Sequence, residues 1–293
     1  MMRLLVILLL ACSVASAQTV TGDTHDKQAN VRQDTTLKLG WNLASVAGLN
    51  LTQASYTQWV PGGENSLAFT AALTGGATHV TETMRWANYL NLRFGQSRLG
   101  DQGLRKTDDE IYLESLLLFI VWEKVYPYVS ATLRTQFAPG YTYPEGAPKQ
   151  EISRFFDPAY LTQSVGLAWE PVSMFTTRLG VGAREVITSQ FPSYADDPET
   201  AEVEKVRVWG GLENVSMLTW EFAENMAFVS RLELFAPFNA LDRVVLRNDN
   251  LLTAKVNEYV NVGLNAQFVN DVNISPYTQV KQTLSIGVTY TLL

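Results

Sequence analysis

Six arginines are the residues of this 293-residue chain whose type and spacing most suggest chemistry: Arg85, Arg93, Arg134, Arg178, Arg184 and Arg231. Each sits in a stretch where polar and apolar side chains alternate. On a strand, residues two apart share a face, so all six fall on the polar face, where Glu110, Glu114, Glu221 and Glu233 can join them. Two readings are open. A ring of arginines around a lumen attracts anions and sets pore selectivity. The same arginines packed against carboxylates such as Glu233 would instead fill the lumen with ion pairs, since a buried charge left unpaired is costly.

Other groups give less. A hydrolase needs a nucleophile beside a base, commonly Ser/His or Asp/His. The chain has two histidines, His25 in a polar N-terminal stretch and His79 beside an expected inner turn, and neither is placed to act on lipid or an external substrate. No catalytic residue and no cofactor is expected. Arg105, Lys106, Asp108 and Asp109 form a mixed-charge cluster at a strand end, either a loop anchor or a ligand site. Asp196, Asp197, Glu199, Glu202 and Glu204 crowd one long loop. Such density can hold calcium or bridge it to lipopolysaccharide phosphates, but the spacing is not that of an EF-hand, and a solvated acidic loop is the plainer reading; no metal site is expected.

The elements that must position these residues are strands. In 281–293, Leu284, Ile286, Val288, Tyr290 and Leu292 oppose Lys281, Thr283, Ser285, Gly287, Thr289 and Thr291. Met84, Trp86, Leu90, Leu92 and Phe94 likewise oppose Arg85, Tyr89, Asn91 and Arg93. Val129, Ala131 and Leu133 oppose Ser130, Thr132 and Arg134. Leu179, Val181 and Ala183 oppose Arg178, Gly180, Gly182 and Arg184. Arginines on the non-apolar face suit a water-filled lumen better than a soluble core. The stretch 116–122 is apolar on both faces and suggests a locally packed lumen.

The alternation predicts about twelve staves, an even number as barrels use, at 42–58, 64–75, 80–97, 108–122, 125–138, 158–170, 173–187, 204–223, 226–237, 241–247, 251–270 and 278–293. Inner turns are expected at Gly75-Gly76, Glu123-Lys124, Glu170-Pro171, Glu224-Asn225 and Asn248-Asp249-Asn250, and long outer connections at 98–107, 139–157 and 188–203. Trp59, Trp86, Trp122, Tyr126, Trp169, Trp209, Trp220 and Tyr290 fall near stave ends, as interfacial girdles do. The fold class is therefore an antiparallel transmembrane β-barrel with short periplasmic turns and longer extracellular loops. A soluble periplasmic sandwich is the alternative.

Bulk properties agree. A net charge of -7 argues against a nucleic-acid partner. After the N-terminus no apolar run reaches the roughly 18 residues of a membrane helix. Residues 1–17 read as a signal peptide: Arg3, an apolar core, then Ala15-Ser16-Ala17 as the cleavage site. A lipidated Cys12, the single cysteine, is the rival. Residues 18–34 read as a flexible periplasmic leader and 35–293 as the barrel.

The C-terminal strand resembles the closing signal of bacterial outer-membrane barrels through Ser285, Gly287, Tyr290 and Leu292, with Leu293 where Phe is usual. That resemblance implies recognition by the barrel-assembly machinery. Further clusters resemble a Gram-negative outer-membrane family, domain of unknown function 3078: Trp59 with Gly62-Gly63 and Asn65-Ser66; Arg105-Lys106-Thr107 with Asp109; Thr135-Gln136-Phe137 with Gly140-Tyr141; Ile152-Ser153 with Phe155-Phe156 and Pro158-Ala159-Tyr160; 232–235; and Lys255-Val256-Asn257. The resemblance implies a barrel in the outer membrane and no assigned activity. The expected partners are outer-membrane lipid and lipopolysaccharide, and a small solute if the lumen is a narrow pore. A non-conducting structural or interaction barrel with a salt-bridged lumen is the alternative.

Overall fold

The computed structural model describes residues 37–57, 63–197, 200–257 and 259–292. The expected signal peptide and leader, Cys12, His25, Trp59 and Glu199 lie outside them. Strands β1 (Gly40–Ala54), β2 (Ser66–Val80), β3 (Met84–Leu99), β4 (Arg105–Phe119) and β5 (Val125–Thr135) are followed by a short hairpin, β6 (Gly140–Thr142) and β7 (Gln150–Ser153). Then come β8 (Ala159–Val172), β9 (Phe175–Ile187), β10 (Val206–Ala223), β11 (Met226–Pro237), β12 (Val245–Lys255), β13 (Val260–Asn270) and β14 (Gln279–Thr291). All but β6 and β7 pair antiparallel with their neighbours and close into one barrel of twelve strands, with β14 against β1.

Closure follows from the pattern. Each strand has a paired neighbour on both edges, β14 and β1 over part of their length, so a sheet that bends round leaves little edge to cap. Inward positions are buried: Val46, Tyr112, Tyr128 and Arg178. Outward positions are apolar and exposed, among them Leu49, Val129, Val181, Leu284 (73%) and Ile286 (66%). An apolar outer wall around a polar interior inverts the soluble arrangement and matches a barrel in lipid. Trp41, Trp86, Trp122, Trp169, Trp220 and Tyr290 are all exposed at the end of the barrel that carries the short turns, a one-sided aromatic girdle. Tyr126 and Trp209 instead fall on the inward set, beside Arg85 and Arg207.

The strand count matches the expectation, but several boundaries do not. Gly75-Gly76 is not a turn. It runs through the middle of β2, paired with Ser45 and Ala44 on one side and Leu90 and Tyr89 on the other. The true turn is 81–83, where the Thr81 hydroxyl accepts the amides of Thr83 (3.3 Å) and Met84 (3.1 Å). Asn248-Asp249-Asn250 is likewise mid-strand in β12. Side-chain hydrogen bonds offset its turn propensity: Ser230 Oγ donates to Asn250 Oδ1 (2.8 Å), and Asn248 Nδ2 donates to the Arg231 carbonyl (3.2 Å). The chain turns after Lys255 and before Val260, where Asn257 Oδ1 accepts the amides of Tyr259 and Val260. Staves 241–247 and 251–270 are thus corrected to β12 and β13. Glu170-Pro171 is a bulge within β8, where a proline without an N–H is tolerated, and the chain reverses at 173–174. Glu224-Asn225 is a turn as expected. Connection 98–107 shrinks to 100–104, while 136–158 and 188–205 are long and lie together at the other end.

Candidate functional site

The interior is built differently on its two sides. The long charged residues of the interior gather on β4, β5, β9, β11 and β12, with Arg93 of β3 reaching them. Glu110 and Glu114 on β4 are the two hubs. Glu110 meets Arg93 (3.3 Å), Arg134 (3.2 Å) and Arg247 (3.0 Å). Glu114 meets Arg178 (2.6 Å) and Arg231 (3.0 Å), and accepts the Tyr112 hydroxyl (3.1 Å). Glu233 joins the hubs. It takes both terminal nitrogens of Arg134 (3.2 and 3.3 Å) and Nε of Arg231 (2.7 Å). A forked guanidinium matched to a carboxylate is the strong form of this interaction. Arg134 and Arg231 also lie over the Tyr112 ring at 4.6 and 5.5 Å.

Toward the turn end, this side is closed by apolar packing. Leu118, Tyr128 and Ala168 are buried together, with Leu116 and Tyr126 against them. This is where the doubly apolar stretch 116–122 goes: Leu116 and Leu118 face the lumen, while 120–122 forms the turn beyond β4. Gly180 makes room for this packing. A Cβ there would stand 2.5 Å from the Tyr128 hydroxyl and nearer still to the Val165 carbonyl.

The other side, β13, β14 and β1 to β3, carries mostly short neutral side chains inward, with Lys281 on β14 and Arg85, Tyr89 and Arg93 on β3 as the exceptions. They border a cavity of about 450 Å³ lined by Asn50, Thr52, Thr70, Thr74, Asn91, Asn261, Asn265, Lys281, Thr283, Ser285 and Thr289, with Arg93, Arg134 and Arg231 as its far wall.

Of the six arginines, Arg93, Arg134, Arg178 and Arg231 share the network. Arg85 pairs with Glu170 at the turn end, and Arg184 with Asp271 (3.0 Å) at the loop end. The arrangement is therefore an alternation of charge, with each of the six arginines against a carboxylate. Glu221 lies exposed at the turn end of β10. Arg247, Asp249 and Asp271 also take part, and alternation alone does not reveal the first two because the turn-forming residues 248–250 interrupt it. Asp108, expected at the rim, faces the lumen between Arg93 (3.7 Å) and Lys281 (2.9 Å).

The rest of the rim cluster holds a loop. Asp109 accepts the amides of Phe137 (2.7 Å) and Ala138 (2.9 Å) and pairs with Lys106 (2.9 Å), which also donates to the Ala138 carbonyl (2.8 Å). Arg105 lies 4.2 Å over the Tyr143 ring. Together these bind the 136–158 connection and its β6–β7 hairpin to β4. Asp157, only 3% exposed, ties that connection to the next one: it accepts the Thr188 hydroxyl (2.5 Å) and the amides of Ser189 (3.0 Å) and Gln190 (2.7 Å). Burial alone would raise its pKa. The Thr188 bond and the two amides outweigh that and hold the carboxyl below the usual aspartate range. No pattern in the sequence marks Asp157, because its partners, one hydroxyl and two main-chain amides, lie about thirty residues on.

Asp196, Asp197 and Glu204 spend their oxygens on amides, on Thr200 and on Arg207. Among the described residues no three metal-ligating side chains converge. His79 packs against Trp41 at 4.9 Å, on the girdle rather than in the lumen.

Solved structures that this chain is similar to include the translocator domain of the autotransporter NalP from Neisseria meningitidis (12% identity, TM-score 0.38, 88% of this chain and 90% of that one). An outer membrane channel from Pseudomonas putida F1 matches at 11% identity and TM-score 0.40, over 87% and 96% of the two chains. The NanC porin matches at 9% and 0.40, over 85% and 100%. No curated protein sequence matches the chain. The family of the sequence resemblance does: residues 51–141, from the end of β1 to the first strand of the outer hairpin, match the model described as protein of unknown function (DUF3078).

Proposed function

We propose that this protein is an outer-membrane barrel that passes small solutes through a narrow path along one side of its lumen. The supporting observation is the cavity beside β14. Lys281, Thr283, Ser285 and Thr289 of a single strand all border it. The eight steps from Lys281 to Thr289 run roughly 26 Å along the strand at about 3.3 Å each, or about 20 Å along the barrel axis at a tilt of about 40°, most of the apolar band of such a barrel, about 25 Å tall. Hydroxyl and amide side chains line that path, so it suits small polar or weakly amphipathic molecules. The arginines act as its buttress rather than as an open anion filter, because carboxylates neutralise them. The long connections face the cell exterior, where lipopolysaccharide would surround them, and the aromatic girdle sits at the periplasmic interface. The C-terminal strand is the segment offered to the barrel-assembly machinery.

Planar-bilayer conductance of the refolded chain tests this. Small discrete steps with weak ion preference are expected. Ser285→Trp should reduce them, while Arg184→Ala, remote from the cavity, should not. Folded protein that stays silent would refute the pore. It would favour the second reading, a non-conducting interaction barrel, which draws on the ion pairs and the Leu118–Tyr128 packing that close the opposite side.

A further inference from the structure

The wall of the barrel is not equally closed all the way round. Strand β1 pairs with β2 over its whole length, from Gly40↔Val80 to Ala54↔Ser66. Its pairing with β14 is short, from Val46↔Thr291 to Asn50↔Gly287. Both strands continue beyond that point toward the loop end, β1 to Ala54 and β14 back to Gln279. The ladder, continued, would go on to pair Gln53 with Leu284, and it does not.

The orientation of the main chain makes this consequential. The Leu292 amide donates across the seam to the Ser45 carbonyl (2.9 Å), while the Thr289 amide donates the other way, to Tyr259 (2.9 Å). On an antiparallel strand the direction alternates residue by residue. Asn50 and Gly287 point away from each other, so their pairing is held by Leu49 with Val288 on one side and by the Leu51 amide on the Ile286 carbonyl on the other. Beyond it Leu284 aims its amide and carbonyl at β1 and Gln53 aims its own at β14, past the end of the ladder. Outside, this stretch is bordered by Leu51, Leu284 and Ile286, all exposed apolar side chains. Inside, it is bordered by Asn50, Thr52, Thr283 and Ser285. Leu284, whose side chain points outward, borders the same cavity as Thr283 and Ser285. Bare main-chain groups facing hydrocarbon are costly, so a breach at this depth calls for an occupant that can hydrogen-bond.

We propose that the loop-end half of the β1–β14 seam is a lateral opening between the lumen and the outer leaflet. It admits small amphiphiles, with an apolar body against Leu51, Leu284 and Ile286 and a neutral hydrogen-bonding end against the free main-chain groups and Thr283. The inference rests on the barrel spanning a membrane as proposed above, and it names the substrate class for that cavity.

The test uses the full chain with Cys12→Ser, refolded in phospholipid vesicles. A fluorophore is attached at Thr283→Cys, and separately at Thr162→Cys on the far lumen wall. Phospholipid bearing a nitroxide on its acyl chain is the probe, and hydrogen exchange is followed in the unlabelled protein. Quenching at Thr283 several-fold stronger than at Thr162 is expected, with faster amide exchange at Leu284 than at Val288 and Tyr290. Equal quenching at the two sites, or equal protection of those amides, overturns the opening. Conductance of the same preparations separates the two readings. Steps without lipid access leave an axial channel and refute the opening; lipid access without steps supports the opening and refutes the axial channel.

Discussion

The two sides of the lumen use the same barrel for opposite ends. From β4 to β12, long side chains meet across the interior, and Glu110, Glu114, Glu233, Arg134 and Arg231 each have several partners. From β13 round to β3, short hydroxyls and amides bond mostly to the adjacent strand and leave the centre free. Asn261 donates to Thr289 (3.0 Å), whereas Arg134 reaches Glu233 ninety-nine residues away. Packing of the first side depends on groups far apart in sequence, so loss of one leaves others buried and unpaired. The second side has little to lose.

That contrast can be broken in order of expected size. Glu110→Ala removes the carboxylate shared by Arg93, Arg134 and Arg247, and should cost about 3–5 kcal/mol in equilibrium unfolding, the scale for breaking a buried ion pair. A loss under 1 kcal/mol would mean that the arginines are solvated and the side is open. Val181→Arg, at the centre of β9 on the outer face, should cost about 2–4 kcal/mol in a bilayer, as charges on the lipid face do. A neutral result there would remove the membrane from the picture. Leu118→Ala should cost about 3 kcal/mol by emptying the apolar packing, and should raise conductance if that packing is what shuts this side.

Asp157→Asn should loosen the two long connections by about 2 kcal/mol, the scale of hydrogen bonds to a charged group. The pH dependence has a fixed sign. Because the carboxyl is held below its ordinary value in the folded protein, its contribution is fully present above about pH 4, the unfolded value, and is lost as pH falls through the lowered one. Protease cleavage within 136–158 should therefore rise in acid for the native chain and be high and flat with pH for the variant. The smallest effect is Asn265→Ala on the neutral side, within about 0.5 kcal/mol of the parent in unfolding, with a change in single-channel current as its readout.

Alternation of side chains was legible along the chain because it is a local property with period two. It placed Arg93, Arg134, Arg178 and Arg231 on the inner face, and Leu179, Val181, Leu284 and Ile286 on the outer one. It fails where turn-forming residues lie inside a strand. Gly75-Gly76 and Asn248-Asp249-Asn250 look like reversals until both neighbouring strands are seen to pair straight through them. Nor does it reveal who faces whom across the lumen.

By itself, then, the sequence determined the fold class, the approximate number of staves and the sign of each face, since these follow from one residue's relation to the next. Only the tertiary structure decided that Arg93, Arg134, Arg178 and Arg231 are neutralised by Glu110, Glu114 and Glu233, that the cavity lies along β14, and that the closing seam pairs over only part of its length. Those are set by closure and register, which bring together residues more than two hundred positions apart, such as Asn50 and Gly287.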